Sequence, residues 1–163
     1  MGIIFVWYTS RMNNTSSQSK LVRQIIEIAH KASEIVLSYY DQKLSITYKN
    51  NDSFDPLTMA DKASDDFIRQ KLHELFPEDE ILSEENNSIP TDYSKRIWMI
   101  DPLDGTKEFL NHTGGFAINI GLWSKGEILF GLVYTPITKR LFYAEKTGDL
   151  LNSLQTVQLK DFK

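Results

Sequence analysis

Apolar residues recur at Leu21, Val22, Ile25, Ile28, Ala29, Ala32, Ile35, Val36 and Tyr39, the three-and-four spacing of an amphipathic helix, with Ser19 placed to cap it. A polar stretch, KNNDSFDP, follows and reads as loop. A second helix is expected from about Thr58, burying Ala63, Phe67, Leu72, Leu75 and Phe76 and stopping before Pro77. Beyond Pro77 the period changes to two. EILSEE, RIWMI, FAINIGLW, ILFGLVYTP and RLFYAEK read as short strands, the later ones separated by turns at SKG and PITK. In FAINIGLW, Ile118, Ile120 and Leu122 alternate with Ala117, Asn119 and Gly121. Two helices followed by hairpin-connected strands predict an α+β fold, with both helices packed on a largely antiparallel sheet, and not a Rossmann alternation.

The first residues do not fit this pattern. IIFVWY, at Ile3 to Tyr8, is too short for a membrane span or a leader core, and the polar TSRMNNTSSQSK after it reads as linker. Residues 1–18 are therefore expected to be a flexible extension, with Met12 as an alternative start, and 19–163 to be one domain.

Composition adds exclusions. The chain has 163 residues, 41% hydrophobic and 25% charged, with a net charge of −4. Nothing in that balance suggests a nucleic-acid polymer or a membrane as partner. There is no cysteine, which excludes disulfides, thiolate metal sites and thiol nucleophiles and fits a cytoplasmic home.

The acids fall at element ends: Asp61 in the first turn of the second helix, Glu84 and Glu85 at one strand end, Asp101 and Asp104 at another. Each has an ordinary explanation taken alone. Asp-Gly is a common turn, Asp61 after Thr58 could complete a capping box, and Glu84-Glu85 could be a solvated turn. Lys49 and Asp52 read as solvated charges, and His30, His73 and His112 have no ligand spacing. The other reading gathers the acids. Asp101 and Asp104, separated by Pro102 and Leu103, can offer two carboxylates and the Leu103 carbonyl to a hard divalent cation. Gly105 and Thr106 would then open a helix whose N–H groups suit an anion.

Three stretches in order, DPLTMAD (Asp55 to Asp61), SEE (Ser83 to Glu85) and DPLDGT (Asp101 to Thr106), resemble the motifs of the lithium-sensitive, magnesium-dependent phosphomonoesterases of the inositol monophosphatase superfamily. KEF at Lys107 to Phe109, GGFAINIGL and GLVYTP are similar to its bacterial 3′(2′),5′-bisphosphate nucleotidase branch, the CysQ type. That branch removes the 3′-phosphate of adenosine 3′,5′-bisphosphate, a by-product of sulfate assimilation. The resemblance implies the N-terminal half of the layered αβαβα sugar-phosphatase fold. It implies two or three Mg²⁺ ions, with Li⁺ inhibitory. Glu84, Asp101 and the Leu103 carbonyl would hold the first ion, and Asp101 and Asp104 would share the second. Asp61 with Thr106 would activate water, and Gly105 and Thr106 would cradle phosphate.

The family's later Trp-Asp motif does not occur here. Two classes of function follow: a phosphatase whose other half comes from a further chain or segment, or a remnant that binds metal and phosphate without turnover. An inositol monophosphatase-like specificity is the alternative within the first. The expectation for residues 1–163 alone is little turnover and a tendency to self-associate through apolar surface.

Overall fold

A computed structural model describes residues 19–40, 56–85, 89–147, 150–151 and 155–158. The expected extension with Met12, the polar loop bearing Lys49, Asp52 and Asp55, and residues 159–163 lie outside the described residues. No described helix is long and apolar enough to cross a membrane.

Helix α1 (Lys20–Tyr40) forms where the apolar periodicity placed it. Ser19 Oγ accepts the Val22 N–H at 3.2 Å, supplying an acceptor to one of the orphan donors of the first turn. The same hydroxyl donates to Glu145 Oε1 at 2.7 Å, so the cap also ties the helix to a strand. Val22, Ile25, Ile26, Ala29, Ala32 and Val36 are buried along one face.

Helix α2 (Pro56–Leu75) begins two residues earlier than its expected start at Thr58. Proline suits a first helical position, because its missing N–H would have no intrahelical partner there. Asp61 consequently lies in the second turn, and the capping-box explanation for it falls away. The buried face also differs from the expected one. It comprises Ala60, Asp61, Ser64, Asp65, Ile68 and Leu72, whereas Ala63 and Phe67 are only half-buried and Leu75 is exposed. Apolar periodicity missed this face because half of it is polar.

The strands are β1 (Glu80–Ser83), β2 (Ile97–Asp104), β3 (Ala117–Ser124), β4 (Glu127–Thr135) and β5 (Arg140–Thr147), with β6 (Leu150–Leu151) and β7 (Gln155–Gln158) both pairing with β5. Each sits beside its predecessor in the order β1-β2-β3-β4-β5. All pairs are antiparallel except β1 with β2, which run parallel. The α+β class and the largely antiparallel sheet are as expected; the parallel edge pair is an addition.

Strand alternation builds the core. Trp98 and Ile100 of β2, Ile118, Ile120 and Leu122 of β3, and Phe130, Leu132 and Tyr134 of β4 are buried in one cluster with the apolar faces of α1 and α2. At the other end of β2, the Asp79 carboxylate accepts from Trp98 Nε1 at 2.9 Å and from Arg96 Nη2 at 2.8 Å, fixing the chain after α2 to the strand. The opposite sheet face carries Met99, Asn119, Gly121, Gly131, Val133, Phe142 and Ala144, which line an open trough of about 700 Å³. Glu84 and Asp101 stand in the same lining.

Burying one large apolar side chain is worth about 1.5–3 kcal/mol, and truncating it leaves a cavity as well. Phe130→Ala is expected to cost about 3–5 kcal/mol in urea unfolding. Ile128→Ala, two residues earlier and half-exposed, should cost under about 0.5 kcal/mol. Similar losses at both positions would contradict this layer assignment.

Candidate metal centre

The acids are brought together by how β1 and β2 end. Ser83 pairs with Ile100 in the parallel register, and both side chains are buried toward the helices. Alternation then turns the next residue of each chain, Glu84 and Asp101, to the other face. The Glu84 N–H donates to the Ile100 carbonyl at 3.1 Å, so this alignment continues past the end of β1.

Asp104 joins them through a bulge. Residues three apart in a strand normally face opposite sides. Here Asp101 pairs with Asn119 and Asp104 with Ala117, so two residues of β2, Pro102 and Leu103, stand against Ile118 alone. The extra residue restores Asp104 to the face of Asp101. At Pro102 the ladder breaks over two residues and resumes at Asp104. The Leu103 N–H turns back to Asp101 Oδ1 at 3.2 Å, and the Leu103 side chain is buried.

Gly105 follows with φ 94°, a left-handed backbone that disfavours any side chain. A Cβ there would stand 3.1 Å from the Phe116 Cα and 3.2 Å from the Gly115 carbonyl oxygen, so glycine is required on two grounds. It caps α3 (Thr106–Leu110), a helix of only five residues. Packing holds that helix in place: Phe109 is buried, with ring centroids 5.3 Å from both Phe116 and Tyr40. Thr106 is exposed at its first turn, and no hydrogen bond joins its hydroxyl to Asp61.

Asp61 approaches from α2. It is 8% exposed, and its Oδ1 is buried with no hydrogen-bond partner among the described residues. Burial, and then the charges of Glu85, Asp101 and Glu84, push its carboxyl up to about 8. Burial also raises Asp101, to about 6, with Glu84 and Asp104 adding to the rise while the Leu103 N–H and Asn119 oppose it. Removing carboxylates from water and crowding them disfavours the charged form on both counts.

This arrangement fits a divalent cation in its chemistry. An orphaned buried oxygen and several mutually repelling hard oxygen donors are what a positive ion would relieve. The side chains are not closed into a finished cage: among the described residues, no three His, Cys, Asp or Glu groups stand at metal-binding spacing. Mg²⁺ commonly takes one or two carboxylates and keeps several waters, so the pair Glu84 and Asp101, with the Leu103 carbonyl, is sufficient in kind.

From the sequence, Glu85 is an acid at a strand end without an assigned role, and Asn119 is not singled out. Glu85 is the acid with the largest effect on Asp61, ahead of Asp101 and Glu84. Asn119 donates from Nδ2 to Asp104 Oδ2 at 3.1 Å and steadies the bulged acid. Its position on the outward side of FAINIGLW was visible in the alternation, but its partner across the strand was not.

A model of the inositol monophosphatase family matches residues 17–162. The 3′(2′),5′-bisphosphate nucleotidase CysQ of Salmonella typhimurium is 34% identical over 126 residues, covering 76% of this chain and 51% of that protein. Among solved structures, CysQ from Bacteroides thetaiotaomicron, a bacterial member of the inositol monophosphatase family, is similar with a TM-score of 0.68 and 32% identity, over 89% of this chain and 51% of that one. Inositol monophosphatase II from Staphylococcus aureus gives a TM-score of 0.69 at 27% identity, over 82% and 48%. The chain thus spans about half the length of the curated relatives it matches. Because the matched segment takes in both long helices, the sheet and every acid described above, the chain belongs to the inositol monophosphatase family.

Proposed function

We propose that this chain supplies the cation- and phosphate-binding part of a Mg²⁺-dependent phosphomonoesterase that removes the 3′-phosphate of adenosine 3′,5′-bisphosphate. The observation that carries the reading is the crowding of Asp61, Glu84, Glu85 and Asp101 around an unpartnered buried carboxylate oxygen. Such a cluster opposes folding unless something else compensates it, and divalent cations are its natural complement. The CysQ relatives favour the nucleotide substrate; the Staphylococcus aureus neighbour supports inositol monophosphate as the second reading.

In this proposal Glu84, Asp101 and the Leu103 carbonyl hold one Mg²⁺, and Asp101 and Asp104 contribute to another. When bound, the ions neutralise phosphate charge and make bound water more acidic. The first-turn N–H groups at Gly105 and Thr106 bind phosphate oxygens, which the open first turn of a helix favours. Thr106 orients the attacking water. Asp61 receives its proton as the water oxygen bonds to phosphorus and the bond from phosphorus to the 3′-oxygen breaks, the leaving 3′-oxygen taking a proton from solvent water to become the alcohol. An Asp61 carboxyl raised by burial and by its acid neighbours is ionised at neutral pH only if positive charge stands nearby, so base and cation act as one unit.

Activity distinguishes the two substrates. Residues 1–163, fused to the part of the Salmonella protein that lies outside the match, are expected to release phosphate from adenosine 3′,5′-bisphosphate with Mg²⁺ and to be inhibited by Li⁺. Asp61→Asn in that chimera should lower kcat about a hundredfold or more. Faster release from inositol 1-phosphate, if the donor itself favours the nucleotide, would transfer the chain to the second reading.

Stability gives a test with no turnover. Asp61 and Asp101 have folded pKa values of about 8 and about 6, above the ordinary carboxylate value of about 4. Between about pH 4 and about pH 8 the folded metal-free chain therefore holds protons that the unfolded chain has released, and stability falls as pH rises. Mg²⁺ binds the ionised groups, so it should raise Tm more at about pH 8 than at about pH 5. A larger rise on the acid side would contradict the carboxylate site. Asp101→Asn should act in opposite directions on two measurements. It should raise the metal-free Tm at about pH 8 by relieving repulsion, and weaken Mn²⁺ binding at least about tenfold by calorimetry. Unchanged Mn²⁺ affinity would move the site elsewhere.

A further inference from the structure

Beside Asp61, the polar face of α2 carries Ser64 and Asp65, which have no role in the chemistry above, yet with Ser83 they are among the most completely buried polar groups described. Ser64 is 0%, Asp65 3% and Ser83 4% exposed. Burying such groups is unfavourable unless each is hydrogen-bonded, and here each is. Ser64 Oγ donates to the Pro102 carbonyl at 3.2 Å. The Ser83 hydroxyl donates to Asp65 Oδ1 in a short hydrogen bond. Asp65 Oδ2 accepts from Arg69 Nε at 2.7 Å, one turn along the same helix. Arg69 is held in turn by Asp66, 2.7 Å from its Nη2.

The destinations of these bonds are informative. Pro102 lies between Asp101 and Leu103, and Ser83 directly precedes Glu84. Asp61, Ser64 and Asp65 are related by three- and four-residue steps, so they share one face of the helix. That single face thus carries Asp61 itself, a bond to the bulge bearing Asp101 and Asp104, and a bond to the strand end bearing Glu84. Apolar residues of similar size could press α2 onto the sheet at least as firmly, since buried charge is a weak source of stability. Hydrogen bonds add direction, fixing where each strand end stands relative to the helix.

We infer that Ser64 and Asp65, the latter through Ser83, are positioning residues that set Glu84 and the Asp101 bulge at a fixed separation from Asp61. Arg69 holds the Asp65 carboxylate so that its other oxygen faces Ser83. The inference rests on the proposed cation site for its consequence, but the positioning itself is observable without metal.

The test uses residues 1–163 with Ser64→Ala, Ser83→Ala and, as a control on the same helix, Ile68→Val, which belongs to the apolar core and has no hydrogen-bonding side chain. In metal-free protein, amide NMR signals of Glu84 and of residues 101–105 should shift in both serine variants and stay in place in the control. Mn²⁺ affinity, read from the loss of the free-ion EPR signal, should fall about tenfold in the serine variants and hold in the control. Asp65→Asn should also shift the Glu84 signal, because asparagine has a single accepting oxygen: when that oxygen accepts from Arg69, the NH₂ faces Ser83 and the Ser83 hydroxyl loses its acceptor. Unmoved signals with unchanged affinity in the serine variants, or equal changes in Ile68→Val, would overturn the assignment. If the unaltered chain binds no Mn²⁺, the cation reading fails, while the amide shifts still decide whether this helix face sets the carboxylates in place.

Discussion

The ladder between β2 and β3 shifts register between Asp101 and Asp104, and the strand absorbs the extra residue as a bulge rather than ending. The geometry at the end of β2 follows from that one extra residue. It returns Asp104 to the face of Asp101, turns the Leu103 N–H toward the Asp101 carboxylate, and delivers the chain to Gly105 at the angle from which α3 starts. A regular strand with the same sequence would point the two aspartates to opposite sides of the sheet. The close approach of Phe116 and Gly115 to Gly105 then leaves no room for another residue at the turn.

The bulge concentrates negative charge that the fold must tolerate. Asp61 is pushed toward its neutral form first by burial and then by Glu85, Asp101 and Glu84, and Asp101 first by burial and then by Glu84 and Asp104. The apolar layer between sheet and helices is what allows this. Trp98, Phe130, Tyr134, Ile25, Ile26 and Ile68 are almost wholly buried, and their contribution is insensitive to pH and salt. Stability and chemistry are therefore separated in space, with the core under the middle of the sheet and the repelling acids at one end of it.

Much of this was legible in the residues. Helix α1 was readable because its core face is aliphatic at helical spacing and a serine stands at its cap. The strands were readable because Ile118, Ile120 and Leu122 alternate with small or polar residues. The acids declared themselves by falling at element ends. Other features were hidden for a common reason: they depend on partners distant in sequence. The parallel pairing of β1 with β2 has no local signal. The true face of α2 was missed because Ser64 and Asp65 look like solvent residues until Pro102 and Ser83 are seen to receive them. The contact of Asn119 with Asp104 and the effect of Glu85 on Asp61 join residues that chain order separates.

If the acid-lined end of the sheet holds a divalent cation, Asp101 stands at the centre of the site. Anomalous diffraction from crystals grown with Mn²⁺ locates the ion without assuming its ligands. The expected anomalous peak lies in direct bonding contact, about 2.0–2.3 Å, with a carboxylate oxygen of Asp101 and with Glu84 beside it. A well-ordered peak on other side chains, or none while Asp101 and Glu84 stand apart, would contradict it.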